Sequence, residues 1–396
     1  MLLSNSEILR YGRHLLLPEI GLAGQEKLKK SSVLIVGAGG LGSPIAIYLA
    51  AAGIGKICIV EFDYVDESNL HRQILFDTSN VGQNKSKVAF EKLNALNPNV
   101  IVETFNDRLD SSNALRIINN YDVVVDGTDN FATRYLVNDA CVLAGKPNIY
   151  GSVSQFEGQI TVFDSSKGPC YRCLFPKPPN PKHVQNCSDA GVLGVLPGVI
   201  GMLQATEAIK LLLGLGESLV GRLLLYDALA MTFQEISLQK NSKCPVCGNA
   251  PTLTELIDYE AFCGIDENSA IALSNSGGDA VHNKNLNRIF QGGEITAVDL
   301  FSLIKNEEKI TILDVRDPHE ILISRLDKAI NIPMAEISAR LIELEREDKI
   351  IVVCRIGERS GKVAQILRAN GFNNVCNLTG GLNQWSLEID PNMPRY

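Results

Sequence analysis

The chain has 396 residues, of which 45% are apolar and 21% charged, and its formal net charge is −8 at pH 7. This length is too great for one ordinary domain and predicts two or three, each large enough to bury a core. The acidic balance argues against non-specific binding to nucleic acid, so we expect no nucleic-acid partner.

The N-terminal residues do not indicate export. Residues 1–7 have no basic region followed by an apolar core, so they do not form a secretory signal. The longest apolar stretch, residues 192–203, is too short to span a membrane and predicts a buried helix. Ten cysteines without a secretory signal indicate metal and thiol chemistry in a reducing compartment. We therefore expect a cytoplasmic protein with no membrane partner.

Strand and helix patterns alternate through the first half of the chain, which predicts an α/β fold with a parallel, doubly wound, Rossmann-like sheet. The strands are predicted at 32–36, 56–62, 100–105, 122–126 and 147–150, and the clearest helices at 41–52 and 85–96. After residue 151 come an alternating strand, a Pro-rich loop, the apolar helix and two further strands. Their positions are 159–163, 168–183, 192–203, 222–226 and 232–237, so the complete sheet is expected to be mixed.

A glycine-rich turn follows the first strand and opens the next helix. Its glycines are Gly37, Gly39, Gly40 and Gly42, and Asp63 ends the following strand 26 positions after Gly37. Backbone N–H groups at such a helix start bind phosphate, and an acid at the second strand end is placed for a ribose. By itself this pattern indicates only a nucleotide, and an NAD-dependent dehydrogenase would be its ordinary interpretation.

The residues after Asp63 are unlike those of a dehydrogenase. They supply amides and two fixed cations, namely Asn69, Arg72, Gln73 and Lys85. Cations at this point suit a triphosphate better than a pyrophosphate that joins two nucleosides. Any one of them could be a solvated surface charge, but the ordered set favours a nucleoside triphosphate site.

A carboxylate-containing segment follows a later strand. Residues 126–130, which include Asp129 and Asn130, lie where the strand order of the sheet reverses. Carboxylate and amide oxygens suit Mg²⁺. We therefore expect a magnesium ion beside the phosphates.

Two Cys-x2-Cys pairs indicate a metal centre. They are Cys170 with Cys173 and Cys244 with Cys247. Four thiolates from two such turns give the tetrahedral set that structural zinc prefers. The 70 intervening residues exceed those of a zinc finger, so the pairs would join distant parts of one domain. Chance pairing or a redox dithiol is the alternative.

The residues around Cys187 do not decide whether it is structural or reactive. It lies between the Pro-rich loop and the apolar helix, in residues 186–191. A structural cysteine fits that position at least as well as a reactive one.

Composition divides the chain into three parts. Residues 264–288 lack periodicity, are rich in Asn, Ser and Gly, and predict a flexible linker. We expect one domain over 1–263 and a small α/β domain over 289–396.

The second domain contains a cysteine in a basic loop. A short apolar strand at 350–353 delivers Cys354 to the start of a helix predicted at 360–369. Backbone N–H groups of the Gly357 loop and the helix dipole stabilise negative charge on sulfur, and Arg355 and Arg359 add positive charge. We expect Cys354 to be a nucleophile, with a half-buried structural cysteine as the alternative. The Cys-x4-Arg spacing is one residue tighter than the Cys-x5-Arg phosphate loop of cysteine phosphatases and suits a sulfur atom better.

Four motifs follow one another in residues 291–396, namely LDVRDPHE at 313–320, AINIP at 329–333, the Cys354 loop and GGLNQW at 380–385. In this order they resemble a rhodanese domain. The resemblance implies a persulfide carried on Cys354 within a loop of Arg355, Gly357, Arg359 and Ser360. One departure lies in a scaffold turn, where residues 325–327 read Arg-Leu-Asp and the family usually has Gly-His-Ile.

Residues 8–263 resemble the MoeB/ThiF family, which is similar to ubiquitin-activating enzymes and adenylates the C-terminal glycine of small ubiquitin-like sulfur carriers. The resemblance implies ATP and Mg²⁺ as ligands, with Asp63 on the ribose and Asp129 on magnesium. Around the phosphates it places Asn69, Arg72, Gln73 and Lys85. It also implies zinc on the four paired cysteines.

The same resemblance assigns two residues that their surroundings leave open. It implies a homodimer in which Arg13 reaches the ATP of the other subunit, although from sequence alone Arg13 is an ordinary exposed charge. It makes Cys187 the thiol that attacks an acyl adenylate or resolves an acyl disulfide.

Together the two resemblances imply adenylation of a carrier with a Gly-Gly C terminus, followed by sulfur transfer from Cys354 to give a thiocarboxylate. A cysteine desulfurase or another persulfide donor would load Cys354, and the product would serve molybdopterin, thiamine or tRNA thiolation. An enzyme that conjugates the carrier to proteins through a Cys187 thioester is the main alternative, although a fused sulfurtransferase argues against that as the sole role. An NAD-dependent oxidoreductase is remote, and a non-catalytic zinc scaffold would not need both Arg72 and the Cys354 loop.

Overall fold

The computed structural model describes residues 3–179, 191–264, 290 and 293–396. The chain forms two units, Met1–Asn275 and Ser276–Tyr396. Cys187 and nearly all of the predicted linker, residues 265–288, lie outside the described residues. The domain limits drawn from composition therefore stay a prediction.

Within the described residues, eight strands of the N-terminal unit form one sheet in the order β3-β2-β1-β4-β5-β6-β7-β8. The strands are β1 Ser32–Val36, β2 Lys56–Val60, β3 Ile101–Phe105, β4 Val123–Asp126, β5 Asn148–Ser154, β6 Glu157–Phe163, β7 Arg222–Asp227 and β8 Thr232–Ser237. Strands β1 to β5 pair in parallel, and β5 to β8 pair antiparallel. The predicted mixed sheet is confirmed.

Helices cover both faces of this sheet because successive side chains of its buried strands point to opposite sides. The described helices of this unit are α1 Asn5–Arg10, α2 Gly12–Leu15, α3 Gly21–Lys30, α4 Gly42–Ala52, α5 Lys85–Leu96, α6 Ala114–Ile118, α7 Phe131–Ala144, α8 Tyr171–Leu174, α9 Leu196–Leu213 and α10 Tyr259–Phe262, with 3₁₀ turns at Glu67–Asn69 and Thr78–Asn80. In β1, Val33 and Ile35 join the core on the face of α4, α5 and α9. Leu34 and Val36 join the core on the face of α6 and α7.

Helix α9 is longer than the apolar stretch from which it was predicted. Its 18 residues have a mean hydropathy of 1.3, which makes it long and apolar enough to cross a membrane by length and composition. Half of it is buried within the protein, against α3, α4 and strands β4 to β6. The fully buried Gln204 donates from Nε2 to the carbonyl oxygens of Asp126 (2.8 Å) and Ile149 (3.0 Å). The prediction of a short helix was wrong about its length, but these contacts are those of a core helix.

The C-terminal unit has a second sheet, whose five described strands are parallel in the order β11-β10-β12-β13-β9. The strands are β9 Glu294–Ile295, β10 Thr311–Asp314, β11 Ile330–Asn331, β12 Ile350–Val353 and β13 Val375–Leu378, and the helices are α11 Ala297–Lys305, α12 Pro318–Ile321, α13 Glu358–Ala369 and α14 Gly381–Glu388, with a 3₁₀ turn at Leu341–Glu343. The central strand β12 is buried on both faces. This sheet confirms the predicted small α/β domain, although α13 begins two residues earlier than its pattern indicated.

Candidate functional site

A cavity of about 290 Å³ lies at the carboxyl ends of β1, β2 and β4. Ten of the eleven residues predicted for the nucleotide line it. They are Gly37, Gly39, Gly40, Asp63, Asn69, Arg72, Gln73, Lys85, Asp129 and Asn130. The structure thus brings residues from a span of more than 90 positions to one place.

The glycine turn is held by close backbone contacts. Gly37 has φ +89°, and a Cβ atom there would lie 3.2 Å from the carbonyl oxygen of Gly127. Gly42 is the eleventh predicted residue, and it packs the turn instead of lining the cavity. A Cβ on Gly42 would lie 1.9 Å from the carbonyl oxygen of Gly37. The first turn of α4 therefore closes on the end of β1 only with glycine at this position.

Glu61 connects the glycine turn to the Asp63 segment and was not among the predicted site residues. Its Oε2 accepts a hydrogen bond from the Ala38 N–H (2.9 Å), and its Oε1 accepts from the N–H groups of Phe62 (2.9 Å) and Asp63 (3.0 Å). Glu61 is buried and lines the cavity. The signal was an acid at the end of an apolar strand.

The two cations predicted for the phosphates are held differently. Lys85 is 5% exposed, and its ammonium lies 3.5 Å from Oδ2 of the half-exposed Asp63. Arg72 donates from Nη1 to the carbonyl oxygen of Ser68 (2.9 Å). The 3₁₀ turn that contains Ser68 also carries Asn69, so one short element positions two predicted ligands.

Gln73 offers a further polar contact. Its side-chain oxygen is buried without a hydrogen-bond partner among the described residues. A buried polar atom of this kind is costly unless a ligand or water satisfies it. Because Gln73 lines the cavity, a bound nucleotide is a suitable partner.

The end of β4 supplies two carboxylates in contrasting surroundings. Asp126 is fully buried, and its Oδ1 accepts from the N–H (3.0 Å) and the hydroxyl (2.6 Å) of Thr128. Burial raises the pKa of Asp126, which disfavours its charged form. Asp129 lies exposed in the cavity lining, so it is the better candidate for holding Mg²⁺. Asn130 lines the cavity as well, but its Oδ1 caps α7 by accepting from the Thr133 N–H (2.9 Å).

Arg134 is a third cation at the cavity and was not among the predicted site residues. It is buried, donates from Nη2 to the carbonyl oxygen of Thr128 (3.2 Å), and lies over the rings of Phe131 and Tyr150. Its position in the first turn of α7 places it just after the Asp129 segment. A basic residue four positions after Asn130 was the available signal.

Arg13 does not line this cavity in its own chain. It is exposed on α2, two positions after the buried Tyr11, whose hydroxyl accepts from Nδ2 of Asn97 (2.9 Å). The expectation that Arg13 reaches the site of another subunit stays a prediction.

The two cysteine pairs form one cluster in which all four sulfur atoms lie within 4.8 Å of one another. Cys170 lies 3.6 Å from Cys244, and Cys173 lies 3.4 Å from Cys247, measured between sulfur atoms. Tetrahedral thiolates about 2.3 Å from zinc would be about 3.8 Å apart. The cluster is therefore compatible with a structural zinc ion.

A buried ion pair anchors one turn of this cluster. Arg172 donates from Nε (2.8 Å) and Nη2 (2.7 Å) to the carboxylate of Asp139, which also accepts from the Tyr259 hydroxyl (2.8 Å). Asp139 is fully buried in α7, and Arg172 is 2% exposed. The turn between Cys170 and Cys173 is thereby fixed to the body of the unit. No local pattern in the sequence indicates this pair, because the two partners are 33 positions apart.

In the C-terminal unit, the Cys354 sulfur lies in a loop of hydrogen-bond donors. It accepts from the Gly357 N–H (3.1 Å) and lies 3.2 Å from the Ser360 hydroxyl. Gly357 has φ +96°, and a Cβ there would approach the Gly380 nitrogen at 3.1 Å. Cys354 is only 1% exposed, so the loop surrounds its sulfur atom almost completely.

Arg359 faces carboxylates beside this loop. Its guanidinium contacts both oxygens of Glu320 at 2.6 Å and lies 3.7 Å from Asp317. Burial by itself raises the pKa of Glu320, but the hydrogen bonds from Arg359 outweigh it and lower that pKa to about 2. The charge of Arg359 is therefore largely balanced by a partner that the loop sequence did not indicate.

The departure from the rhodanese pattern is accommodated by packing. Leu326 is buried in the core of the unit, whereas Arg325 and Asp327 are exposed. The turn keeps an apolar anchor, and it lies outside the Cys354 loop.

Comparison with known proteins covers both units. The ThiF family matches residues 11–246, and the Rhodanese-like domain matches residues 296–388. A protein of Aedes aegypti named adenylyltransferase and sulfurtransferase MOCS3 is 44% identical over 100% of this chain and 90% of its own length. A probable adenylyltransferase/sulfurtransferase MoeZ of Mycobacterium tuberculosis is 41% identical over 100% of this chain and 96% of its own.

The N-terminal part has further relatives. A sulfur carrier protein adenylyltransferase of Thermus thermophilus is 55% identical and covers 66% of this chain and 98% of its own length. Among solved structures, E. coli MccB with ATP has a TM-score of 0.54 and 25% identity, over 60% of this chain and 73% of that chain.

Proposed function

The chain belongs to the ThiF family, carries a rhodanese-like domain and is an adenylyltransferase with sulfurtransferase activity, and we propose that it acts on a ubiquitin-like sulfur carrier. The carrier would be adenylated on its C-terminal glycine and then converted to a thiocarboxylate. The observation that carries this proposal is that one cavity combines the glycine turn, the cations Arg72, Lys85 and Arg134, and the exposed Asp129.

In the first step, the carrier carboxylate attacks the α-phosphate of ATP, and pyrophosphate leaves. Lys85 and Arg72 line the cavity and would lie at the phosphates, where fixed positive charge stabilises the charge that develops during transfer. Mg²⁺ held by Asp129 would neutralise further phosphate charge, and Arg13 of the partner subunit would complete the site. No side chain of this chain has to act as a nucleophile in that step.

The second step transfers sulfur. The terminal sulfur of a Cys354 persulfide attacks the acyl carbonyl, AMP leaves, and an acyl disulfide joins the carrier to Cys354. The Cys187 thiolate then attacks the Cys354 sulfur, which releases the carrier thiocarboxylate and leaves a disulfide between the two cysteines. A dithiol reductant supplies the two electrons that restore both thiols.

Other features complete the proposal. We propose a cytoplasmic homodimer with an adenylation domain over 1–263, a connecting segment over 264–288 and a sulfurtransferase domain over 289–396. The covalent connection raises the effective concentration of Cys354 at the acyl adenylate. A cysteine desulfurase or another persulfide donor would load Cys354, and zinc would be held by Cys170, Cys173, Cys244 and Cys247.

The Cys354→Ala variant tests the division of labour. It is expected to retain ATP–pyrophosphate exchange, because the adenylation residues are unchanged, and to form no thiocarboxylate. Exchange of labelled pyrophosphate and mass spectrometry of the carrier measure the two activities. Cys376→Ala, which removes another buried cysteine of the same unit, is the matched control and should keep both. Thiocarboxylate made by Cys354→Ala at the wild-type rate would contradict the relay, and a carrier found as a thioester on Cys187 would favour protein conjugation.

A further inference from the structure

Tyr396 lies between the Cys354 loop and the start of α12, and nothing in the loop sequence points to it. Its hydroxyl accepts a hydrogen bond from Nη1 of Arg316 (2.8 Å) and donates one to Oε1 of Glu320 (2.9 Å). Tyr396 is half-buried. Its phenol therefore bridges one cation and one carboxylate beside the loop.

The Arg316 side of this bridge is rigid. Arg316 is fully buried, and its guanidinium contacts both oxygens of Asp314 (3.0 and 2.7 Å) and the carbonyl oxygen of Ser324 (2.7 Å). A side chain with this many fixed partners cannot follow a moving neighbour. It therefore fixes the position of the phenol.

The Glu320 side leads to the loop. The same Glu320 oxygen that accepts from Tyr396 also accepts from Arg359, and the other oxygen holds the second arm of that guanidinium. The capping contact from the Asp317 N–H (3.0 Å) completes the set of donors to Glu320. The phenol of Tyr396 is thus connected to the first turn of α13 through one carboxylate.

The ring of Tyr396 contacts the other loop arginine. The guanidinium carbon of Arg355 lies 5.8 Å from the ring centroid, a cation–π distance, and Nη1 donates to the main-chain oxygen of Tyr396 (3.3 Å). Tyr396 therefore contacts Arg355 directly and is linked to Arg359 through Glu320.

We propose that Tyr396 is a positioning residue for sulfur transfer, which holds Arg355 and Arg359 in fixed orientation around the sulfur of Cys354. This inference rests on the proposed role of Cys354 as the persulfide carrier. Charges that are oriented in advance stabilise a developing anion without reorganisation. Loss of Tyr396 leaves the number of charges unchanged but releases their orientation, so it lowers the turnover number more than the affinity for an anionic donor.

The test uses the full chain with thiosulfate as donor and cyanide as acceptor. Tyr396→Leu, which removes ring and hydroxyl, is expected to lower kcat roughly tenfold while KM for thiosulfate changes by less than about threefold. Tyr396→Phe keeps the ring for Arg355 and is expected to recover part of the loss. Arg395→Ala, at the exposed neighbouring residue, is the matched control and should equal wild type.

Two measurements separate positioning from a loss of folded protein. Mass spectrometry of the Cys354 peptide after alkylation by iodoacetamide counts reactive Cys354 in each preparation, and kcat is expressed per reactive site. A Tyr396→Leu enzyme with wild-type kcat per site would overturn the inference, as would a Phe variant as poor as the Leu variant. Cys354→Ala is assayed beside them, and sulfur transfer by that variant would overturn the proposed function itself, whatever Tyr396 does.

Discussion

Glu320 is the carboxylate that pairs with Arg359 of the Cys354 loop. Its side chain is 8% exposed and accepts from both arms of Arg359, so its charged form is strongly favoured in the folded protein. The pKa of Glu320 in the folded state is about 2, below its ordinary value of 4.5. A carboxylate with a depressed pKa contributes stability above its ordinary pKa and loses that contribution as pH falls towards the folded value.

Glu320→Gln is expected to lower the free energy of unfolding of the C-terminal unit by about 2 kcal/mol at pH 7. The difference from wild type should shrink as pH falls from 5 towards 2, because the carboxylate of the unfolded state takes up a proton first and that of the folded state only near pH 2. Trp385 is the single tryptophan of the chain and is buried in this unit. Its fluorescence during urea titration of the full chain therefore reports on this unit.

Glu343→Gln is the matched control, because Glu343 pairs with Arg340 on the surface. Exposed ion pairs contribute little, so the urea midpoint should stay close to wild type at every pH. A difference between wild type and Glu320→Gln that stays constant from pH 7 to pH 3 would show that the carboxylate charge is not its source.

The elements that carry the site could be predicted because their local patterns are strong. The limits of β1 and β12 agree with the prediction, and the glycine turn at the end of β1 has the backbone that its sequence indicated. The start of α13 was placed too late because its first turn is polar. Apolar periodicity begins only further along the helix.

The pairs that orient the site could not be predicted in this way. Arg172 meets Asp139 across 33 positions, and Arg359 meets Glu320 across 39. Such partners become neighbours only when strands and helices pack, and no local period records them. The same reason explains why Glu61 was missed as a partner of the glycine turn.

The cysteine cluster joins two distant elements, α8 and a turn 70 residues later, so the loss of its metal should affect both. The purified protein is expected to contain one zinc ion per chain by atomic absorption. Cys173→Ser should lose that zinc and lower the unfolding temperature in calorimetry, since the metal links two distant turns. The anchoring pair of Arg172 and Asp139 should keep α8 near its place.

Cys263→Ser is the control for that experiment, because Cys263 is buried in the same unit but lies outside the cluster. It should retain the zinc. Zinc retained at one ion per chain in Cys173→Ser would mean that the four sulfur atoms do not form the binding site.

The ThiF match and the rhodanese-like match lie in two separate units of one chain, and one predicted site residue of the first unit lies outside its cavity lining. Arg13 is exposed and does not line the cavity of its own chain, whereas Arg72 does. If the protein is a homodimer with two-fold symmetry, Arg13 of each subunit can serve the cavity of the other. The role of Arg13 in the nucleotide site would then exist only in the dimer and not in the single chain.

Mixed dimers test this assignment. Arg13→Ala and Arg72→Ala should each lose most ATP–pyrophosphate exchange, because each removes a cation from every site. Co-expressed in equal amounts, the two variants should recover about a quarter of wild-type exchange, since half of the dimers are mixed and each mixed dimer has one site with both arginines. A mixture as inactive as either variant would mean that Arg13 acts within its own chain, because every site would then lack one of the two cations.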